Sequence, residues 1–258
     1  MVWSRPDQPP IPTIYHTFRA KDVDSDQLVT YRVQDFTEDR HADVIQHYKE
    51  NFVDDEPLAA SRKISSRAVA MAEIVTFWSW CLEQRMTVVC YKEGSDEIVG
   101  VNLLHVATPG KHKQWKVSSA LVAQRSQYKH LIPKRQLESE DLWNTFEAHI
   151  YVGQQFNVFE RFGVDRYLTA YGLAVNRRYR GRGIATEMLK ARIPMCKAFG
   201  IELTATNFTA VGSQLAAAKA GFKTDFEVMY DDFAKMGPKY VFPGIQTKSL
   251  KLMSLKIE

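Results

Sequence analysis

RRYRGRGIATEML, from Arg177 to Leu189, decides how this chain is to be read. Arg177, Arg178, Arg180 and Arg182 surround Gly181 and Gly183; a strand-like run, YLTAYGLAV, precedes them and a helix-forming pattern follows. A strand that ends in a glycine turn and feeds a helix gathers backbone N–H groups at the positive end of the helix dipole, and so makes an anion site. Gly181 and Gly183 give the main chain left-handed torsions or a close approach to a ligand, and Thr186 adds a hydroxyl in the first helical turn. The expected ligand carries phosphate.

Three kinds of loop share this character. A P-loop needs G-x-x-x-x-G-K-[ST], and no lysine stands at that spacing. A dinucleotide-binding turn needs G-x-G-x-x-G; here Thr186 occupies the place of the third glycine, although Glu202 lies about 20 residues on, where a ribose-binding acid would. An antiparallel hairpin upstream also speaks against a doubly wound sheet. The third kind is a cradle for the pyrophosphate of coenzyme A, and the stretch is compatible with it.

Working outward, the 258 residues are 45% hydrophobic and 12% aromatic, enough for a substantial core. The 34 basic and 30 acidic residues leave a formal charge of +4 and no basic tail, so no nucleic-acid partner is expected. Cys81, Cys90 and Cys196 are scattered without a C-x-x-C step, which argues against a disulfide framework and a zinc site, and for a reducing compartment. The start, MVWSRPDQPPIPTIYHTF, has no apolar signal region, and no apolar run approaches the roughly 18 residues of a membrane span. The expectation is a soluble, cytoplasmic protein with no membrane partner.

Pro6, Pro9, Pro10 and Pro12 predict an extended arm over residues 1–27, with a single domain over 28–258. LVTYRVQDF reads as a strand. TEDRHADVIQHYKENF reads as a helix with Val44, Ile45, Tyr48 and Phe52 on one stripe, stopping before DDEPL. The segment Ser66 to Gln84 is apolar around most of its circumference and predicts a helix buried on more than one side. MTVVCYKEGSDEIVGVNLLHV predicts a hairpin about its Gly-Ser-Asp turn. Residues 107–140, with KHKQWK and HLIPKRQ, read as a solvated excursion. A helix from Glu140 to Phe156 carries Leu142, Phe146 and Ile150 on one face. From Tyr167 the order is strand, glycine loop, helix, strand (IELTAT), helix (AVGSQLAAAKAG) and β-rich segments to Glu258, with Pro194 predicting a kink in the helix after the loop.

In that order of elements, R-Y-R-G-R-G (Arg178 to Gly183) resembles the R-x-x-G-x-G signature of the GNAT superfamily of N-acetyltransferases. YGLAV before the loop, IATEML after it, then LTAT and AAAKAGF with Gly221 and Phe222, match the family's sequence of elements. VFERFGVDRYLTAYGLAVNRRYRGRGIA and FVDDEPL further resemble the insect arylalkylamine N-acetyltransferase branch; the similarity spans residues 28–258 and is weakest between 107 and 140. The resemblance implies an α+β GNAT fold: a mixed central β-sheet flanked by helices and splayed at the cofactor-binding strand. It implies acetyl-CoA as cosubstrate and no metal. Its cofactor positions fall on Leu173, Ala174, Val175, Arg178, Arg180, Gly181, Arg182, Gly183, Ile184, Ala185, Thr186 and Thr209.

The implied reaction is direct transfer of an acetyl group to a small primary amine in a ternary complex, by a monomer. An alkyl ammonium group, with a pKa of about 10, cannot attack until it loses a proton. Glu56 matches the family's general base, and Asp54 and Asp55 beside it would raise its pKa by like-charge repulsion. Read without the resemblance, D-D-E-P-L is an acidic helix-terminating turn. Backbone N–H groups of Leu173 to Val175 would polarise the thioester carbonyl. The tyrosine that many superfamily members use to protonate the departing thiolate falls on Ala217 and is missing. Thr209 and Ser213, four apart, would share a helix face if the helix starts early enough, and Ser213 becomes the candidate donor. No histidine lies beyond His149, so the Pro-His step found in the amine pocket of arylalkylamine enzymes is absent. His149, beside Glu147 and Tyr151, is a further acid-base candidate or a packing residue. Phe52 and Trp78 read equally as pocket wall and as core. A polyamine or agmatine acceptor, or a paralogue with altered catalysis, stays open as an alternative.

Overall fold

A computed structural model describes residues 3–109 and 137–258. Its sheet has eight strands: β1 (Ile14–Lys21), β2 (Leu28–Asp35), β3 (Val88–Lys92), β4 (Ile98–Ala107), β5 (Tyr167–Val175), β6 (Leu203–Phe208), β7 (Lys223–Met229) and β8 (Ser249–Lys256), in the order β1-β2-β3-β4-β5-β6-β8-β7. The helices are α1 (His41–Asn51), α2 (Pro57–Ser61), α3 (Ala68–Glu83), α4 (Glu140–Gln155), α5 (Val158–Phe162), α6 (Ile184–Lys190), α7 (Arg192–Ala198), α8 (Val211–Lys219) and α9 (Tyr230–Ala234). The expected mixed sheet flanked by helices is present.

All neighbouring strands run antiparallel except β5 and β6, which are parallel and meet at a single pair, Leu168 with Thr204. Beyond that pair the two strands part. This sheet disposes of the dinucleotide reading, which needs parallel neighbours on both sides of the glycine turn. Helices α1 and α3 cover one face, over Val89, Val101 and Leu103; α6 and α7 cover the other, over Val88, Cys90 and Leu104. Alternate residues of β3 and β4 therefore enter different cores, which is why both strands read as continuous apolar runs.

Several expectations change. Residues 14–21, assigned to the arm, form the edge strand β1 and pair with β2, so a boundary at residue 28 would cut through a hairpin. Tyr15, Phe18 and Ala20 point inward, and Arg5 fastens the preceding residues by donating to the buried Asp35 at 2.6 Å and 2.9 Å. In α3, Ile74, Phe77, Trp78 and Cys81 are buried, but Val69 is 50% exposed, so the helix is not enclosed on several sides. The interruption expected from Pro194 is present: the helix breaks at Ala191 into α6 and α7, which leaves the proline in the first turn of α7, where its missing N–H costs nothing. The stretch after β7 is not β-rich throughout: α9 interrupts it. The segment 110–136, most of the predicted solvated excursion, lies outside the described residues.

Candidate active site

Where β5 leaves β6, its backbone is bulged. Between the pairs Asn102–Leu173 and Leu104–Ala170, β4 advances by two residues and β5 by three, so the extra residue lies at Tyr171–Gly172. The displaced Gly172 carbonyl accepts from Asn102 Nδ2 at 2.8 Å and from the Tyr48 hydroxyl at 2.9 Å. Helix α1 supplies a row of such contacts along β5. His47 Nε2 donates to Ala174 O at 3.1 Å, and Asn51 Oδ1 accepts from Arg177 N at 3.1 Å. Residues 47, 48 and 51 share one helix face, so α1 grips the end of β5 and the turn after it by its polar atoms.

The loop follows directly. Asn176 Oδ1 accepts from Arg178 N at 3.0 Å, a 3-10 turn spans Arg177–Tyr179, and Gly181 and Gly183 both adopt φ of +79° before α6 begins. A side chain at either glycine would meet no neighbouring atom within 4 Å, so torsion is what requires them. Among the described residues, nothing accepts from the backbone N–H groups of Gly181 through Thr186. Six consecutive donors left open at a helix start suit a pyrophosphate.

The arginines divide their work. Arg182 clasps the β1–β2 turn through Asp22 O (3.1 Å) and Val23 O (3.3 Å), and closes the loop on Arg178 O and Arg180 O, both at 2.9 Å. Arg180 holds Val175 O at 3.0 Å and Asn51 O at 2.9 Å. Arg178 faces solvent, with only a long 3.5 Å contact to Asp24. Arg180 and Arg177 also grip Asp55, at 2.7 Å and 3.2 Å.

That grip corrects the expected role of Asp55. Burial works to raise its pKa, but the two guanidinium groups outweigh burial and hold the carboxyl below its ordinary value. Its charge is matched by arginine and does not act as an unpaired neighbour of Glu56. Glu56 itself opens a helix, with Pro57 in the first turn of α2: Oε2 accepts from Ala59 N at 2.7 Å, while Oε1 is buried with no partner. The acidic turn that ends α1 is thus also the cap of the next helix.

Around Glu56 the structure gathers residues that its sequence neighbours do not announce. His149, from α4, meets Asn207 of β6, with Nδ1 and Nδ2 3.3 Å apart, and Asn207 Oδ1 is a second buried acceptor without a partner. Burial pushes the His149 pKa below its usual value, and the charge of Glu56 acts against that. Tyr230, raised by burial and further by Glu56, donates to Thr209 O at 3.0 Å. Thr209 lies in the turn before α8, which starts only at Val211, so Thr209 and Ser213 do not share a helix face. The Ser213 hydroxyl donates to Ala210 O at 2.8 Å, and Ala217 is fully buried. Phe52 and Trp78 pack on Tyr48 with ring centroids 5.1 Å away, Trp78 being core at 1% exposure.

Residues 148–222 match the Acetyltransferase (GNAT) family. A structure from the yellow fever mosquito Aedes aegypti, assigned as arylalkylamine N-acetyltransferase 7, is 41% identical, with 99% of this chain and 100% of that one covered at a TM-score of 0.88. The chain belongs to the GNAT acetyltransferase family. The acetyltransferase shares its fold with arylalkylamine N-acetyltransferase 2 of Aedes aegypti (21% identity, 88% and 99% coverage, TM-score 0.70). It shares it likewise with a Drosophila melanogaster polyamine N-acetyltransferase that forms N-acetylagmatine (15% identity, 88% and 100% coverage, TM-score 0.66). Comparison with curated protein sequences gave no match.

No sequence motif marks Asn102, Asn207 or Arg192 of the acetyltransferase, and the helical spacing that places Tyr48 on the α1 stripe does not show its hydroxyl contacts with Gly172 and Leu103. Arg192 had a signal: it stands four residues after Met188 and four before Cys196, both fully buried, and so lies on an apolar helix face.

Proposed function

We propose that this N-acetyltransferase moves an acetyl group from acetyl-CoA to a small primary amine of the arylalkylamine class, with Glu56 as general base. The observation that carries the reading is the half-fixed carboxylate. Ala59 N holds Oε2, and Oε1 is left buried and unpaired, with the Glu56 charge felt by His149 and Tyr230. A carboxylate fixed by one oxygen keeps the other for the proton of an ammonium group. The open N–H groups of Gly181 to Thr186, with Arg178 beside them, would hold the pyrophosphate. Leu173, Ala174 and Val175, with Thr209 across the gap, would flank the arm that carries the thioester. That thioester supplies an acyl carbon open to attack by the neutral amine.

Glu147, two residues before His149 on α4, forms an ion pair with Lys239 at 2.9 Å. Two residues apart on a helix, Glu147 and His149 point to opposite sides of α4, so Glu147 supplies no second anion beside His149. Ser213, as proton donor to the departing thiolate, would have to turn its hydroxyl away from Ala210 O.

Release of the coenzyme A thiol from acetyl-CoA, measured with aryl amines, polyamines and amino acids, tests the whole reading. Aryl amines are expected to turn over fastest, and Glu56→Ala to lower kcat/KM by about a hundredfold or more. Binding of acetyl-CoA without turnover of any amine would sink the enzyme reading. Full activity of Glu56→Ala between pH 6 and 9 would sink only the general base. Full activity of Ser213→Ala would remove Ser213 from the mechanism.

A further inference from the structure

Arg192 is only 1% exposed, and among the described residues no carboxylate pairs with it. Nε donates to Asn102 Oδ1 at 3.0 Å, and Nη1 to Thr206 Oγ1 at 2.8 Å and Thr204 Oγ1 at 3.3 Å; Nη2 is buried with no partner. The guanidinium lies 5.7 Å from the centroid of the Phe222 ring. Burial draws its pKa down to about 10, so it keeps its charge at neutral pH. Taking a cation out of water against neutral oxygens alone is strongly unfavourable, and removing the charge would relieve the fold. The fold therefore spends stability on this group.

Its position says what the charge faces. Thr204 sits at the one point where β5 and β6 pair, and Thr206 lies two residues further on, where the strands have parted. Bonded to β4 at one end and to β6 at the other, the guanidinium reaches across the gap where β5 leaves its neighbour. What the arrangement lacks is an anion, and acetyl transfer makes one. Glu56 takes the ammonium proton, the neutral nitrogen bonds to the acetyl carbon, the C–S bond breaks with its electron pair going to sulfur, and the second proton of the acylated nitrogen passes to water. A thiolate is left in the gap. No hydroxyl stands at Ala217 to protonate it, and Ser213 donates to Ala210 O at 2.8 Å.

We propose that Arg192 supplies the positive charge against which the coenzyme A thiolate departs. This rests on the acetyl-CoA reading above. The test compares acetyl-CoA with its selenoester analogue, whose more acidic leaving group needs less help. Arg192→Gln is expected to lower kcat with acetyl-CoA roughly a hundredfold, with a much smaller change in KM and a clearly smaller loss on the selenoester. Arg192→Lys, which keeps the charge, is expected to restore most of the rate. Thr206→Val, which keeps the charge but frees its nearest anchor, should show an intermediate loss with the same selenoester relief. Undiminished kcat in Arg192→Gln, an equal loss on both esters, or a Lys variant as slow as the Gln variant would each overturn the proposal. Should thermal melting show Arg192→Gln unfolded, Thr206→Val decides: a loss without selenoester relief overturns it. A wild-type protein inactive on every amine would instead defeat the acetyl-transfer reading, before any variant is compared.

Discussion

Replacing Gly172 by alanine would set a methyl carbon 2.7 Å from Tyr48 Cε1, 3.0 Å from its hydroxyl and 3.1 Å from Phe52 Cε2. Carbon atoms rest about 3.5–4.0 Å apart, so the tyrosine ring must retreat by roughly 1 Å. It has little room to do so. Tyr48 is fully buried, its hydroxyl bridges Gly172 O at 2.9 Å and Leu103 N at 3.1 Å, and its ring is backed by Trp78. Overpacking of this kind costs about 1–3 kcal/mol, and disturbing the hydroxyl's bonds about 1 kcal/mol more. For a domain of this size a loss of about 2–4 kcal/mol lowers Tm by roughly 5–15 °C. Scanning calorimetry of Gly172→Ala measures it, with coenzyme A release as the parallel readout, because the same methyl distorts the bulge beside the parted strands. Tyr48→Phe, which keeps the ring and loses the hydroxyl, should cost about 1–2 kcal/mol. A Gly172→Ala protein with unchanged Tm and turnover would refute the account of the bulge as tightly fitted to α1.

Other outcomes follow from the same geometry. Since arginine holds the Asp55 pKa below its ordinary 3.8, the pair stabilises fully above that value, and the contribution is lost as pH falls through the native pKa. Asp55→Asn should therefore melt below wild type near neutrality by at most about 1 kcal/mol, given partial exposure, and the difference should close in acid or high salt. Burial lowers His105 to about 4 from an ordinary 6.5. The unfolded chain then takes up this proton first, and stability falls as pH drops from about 6.5 to 4, by roughly 3 kcal/mol in all. In urea titrations across that window His105→Gln should lose correspondingly less; parallel curves would clear His105 of the effect. Gly183→Ala, at φ of +79°, should cost about 1–2 kcal/mol and raise the KM for acetyl-CoA, and an unchanged KM would count against the phosphate cradle.

The loop was legible because its chemistry is local: the spacing of Arg178, Gly181 and Gly183 between a strand and a helix is a property of one short segment. Asp55 was misread because its partners, Arg177 and Arg180, arrive from more than a hundred residues away, and no adjacent residue betrays them. The partners of Arg192 were hidden for the same reason, Asn102 lying on a strand 90 residues earlier. The residues of β1 were legible and passed over. Inward Tyr15, Phe18 and Ala20 already showed near-alternation, but the prolines just before them dominated the reading. The face predicted for Thr209 and Ser213 failed on a helix boundary, the least secure feature in any sequence.

The way β8 enters the sheet bears on how the molecule is assembled. Strands β1 and β2 form one hairpin and β3 and β4 another, each from near-neighbour contacts, whereas β2 meets β3 only across the intervening α1, α2 and α3. Beyond β4 no two successive strands are joined by a tight turn. β6 and β7 are not bonded to each other; each waits for β8, which slots between them with its register set on both sides. Until then β6 has only its single pair with β5, and β7 has no partner strand. Contacts that span such long chain segments form slowly and leave open edges in the meantime. Thr204 and Thr206 lie on β6, so two of the three anchors of Arg192 depend on a strand whose main partner, β8, comes last in the chain.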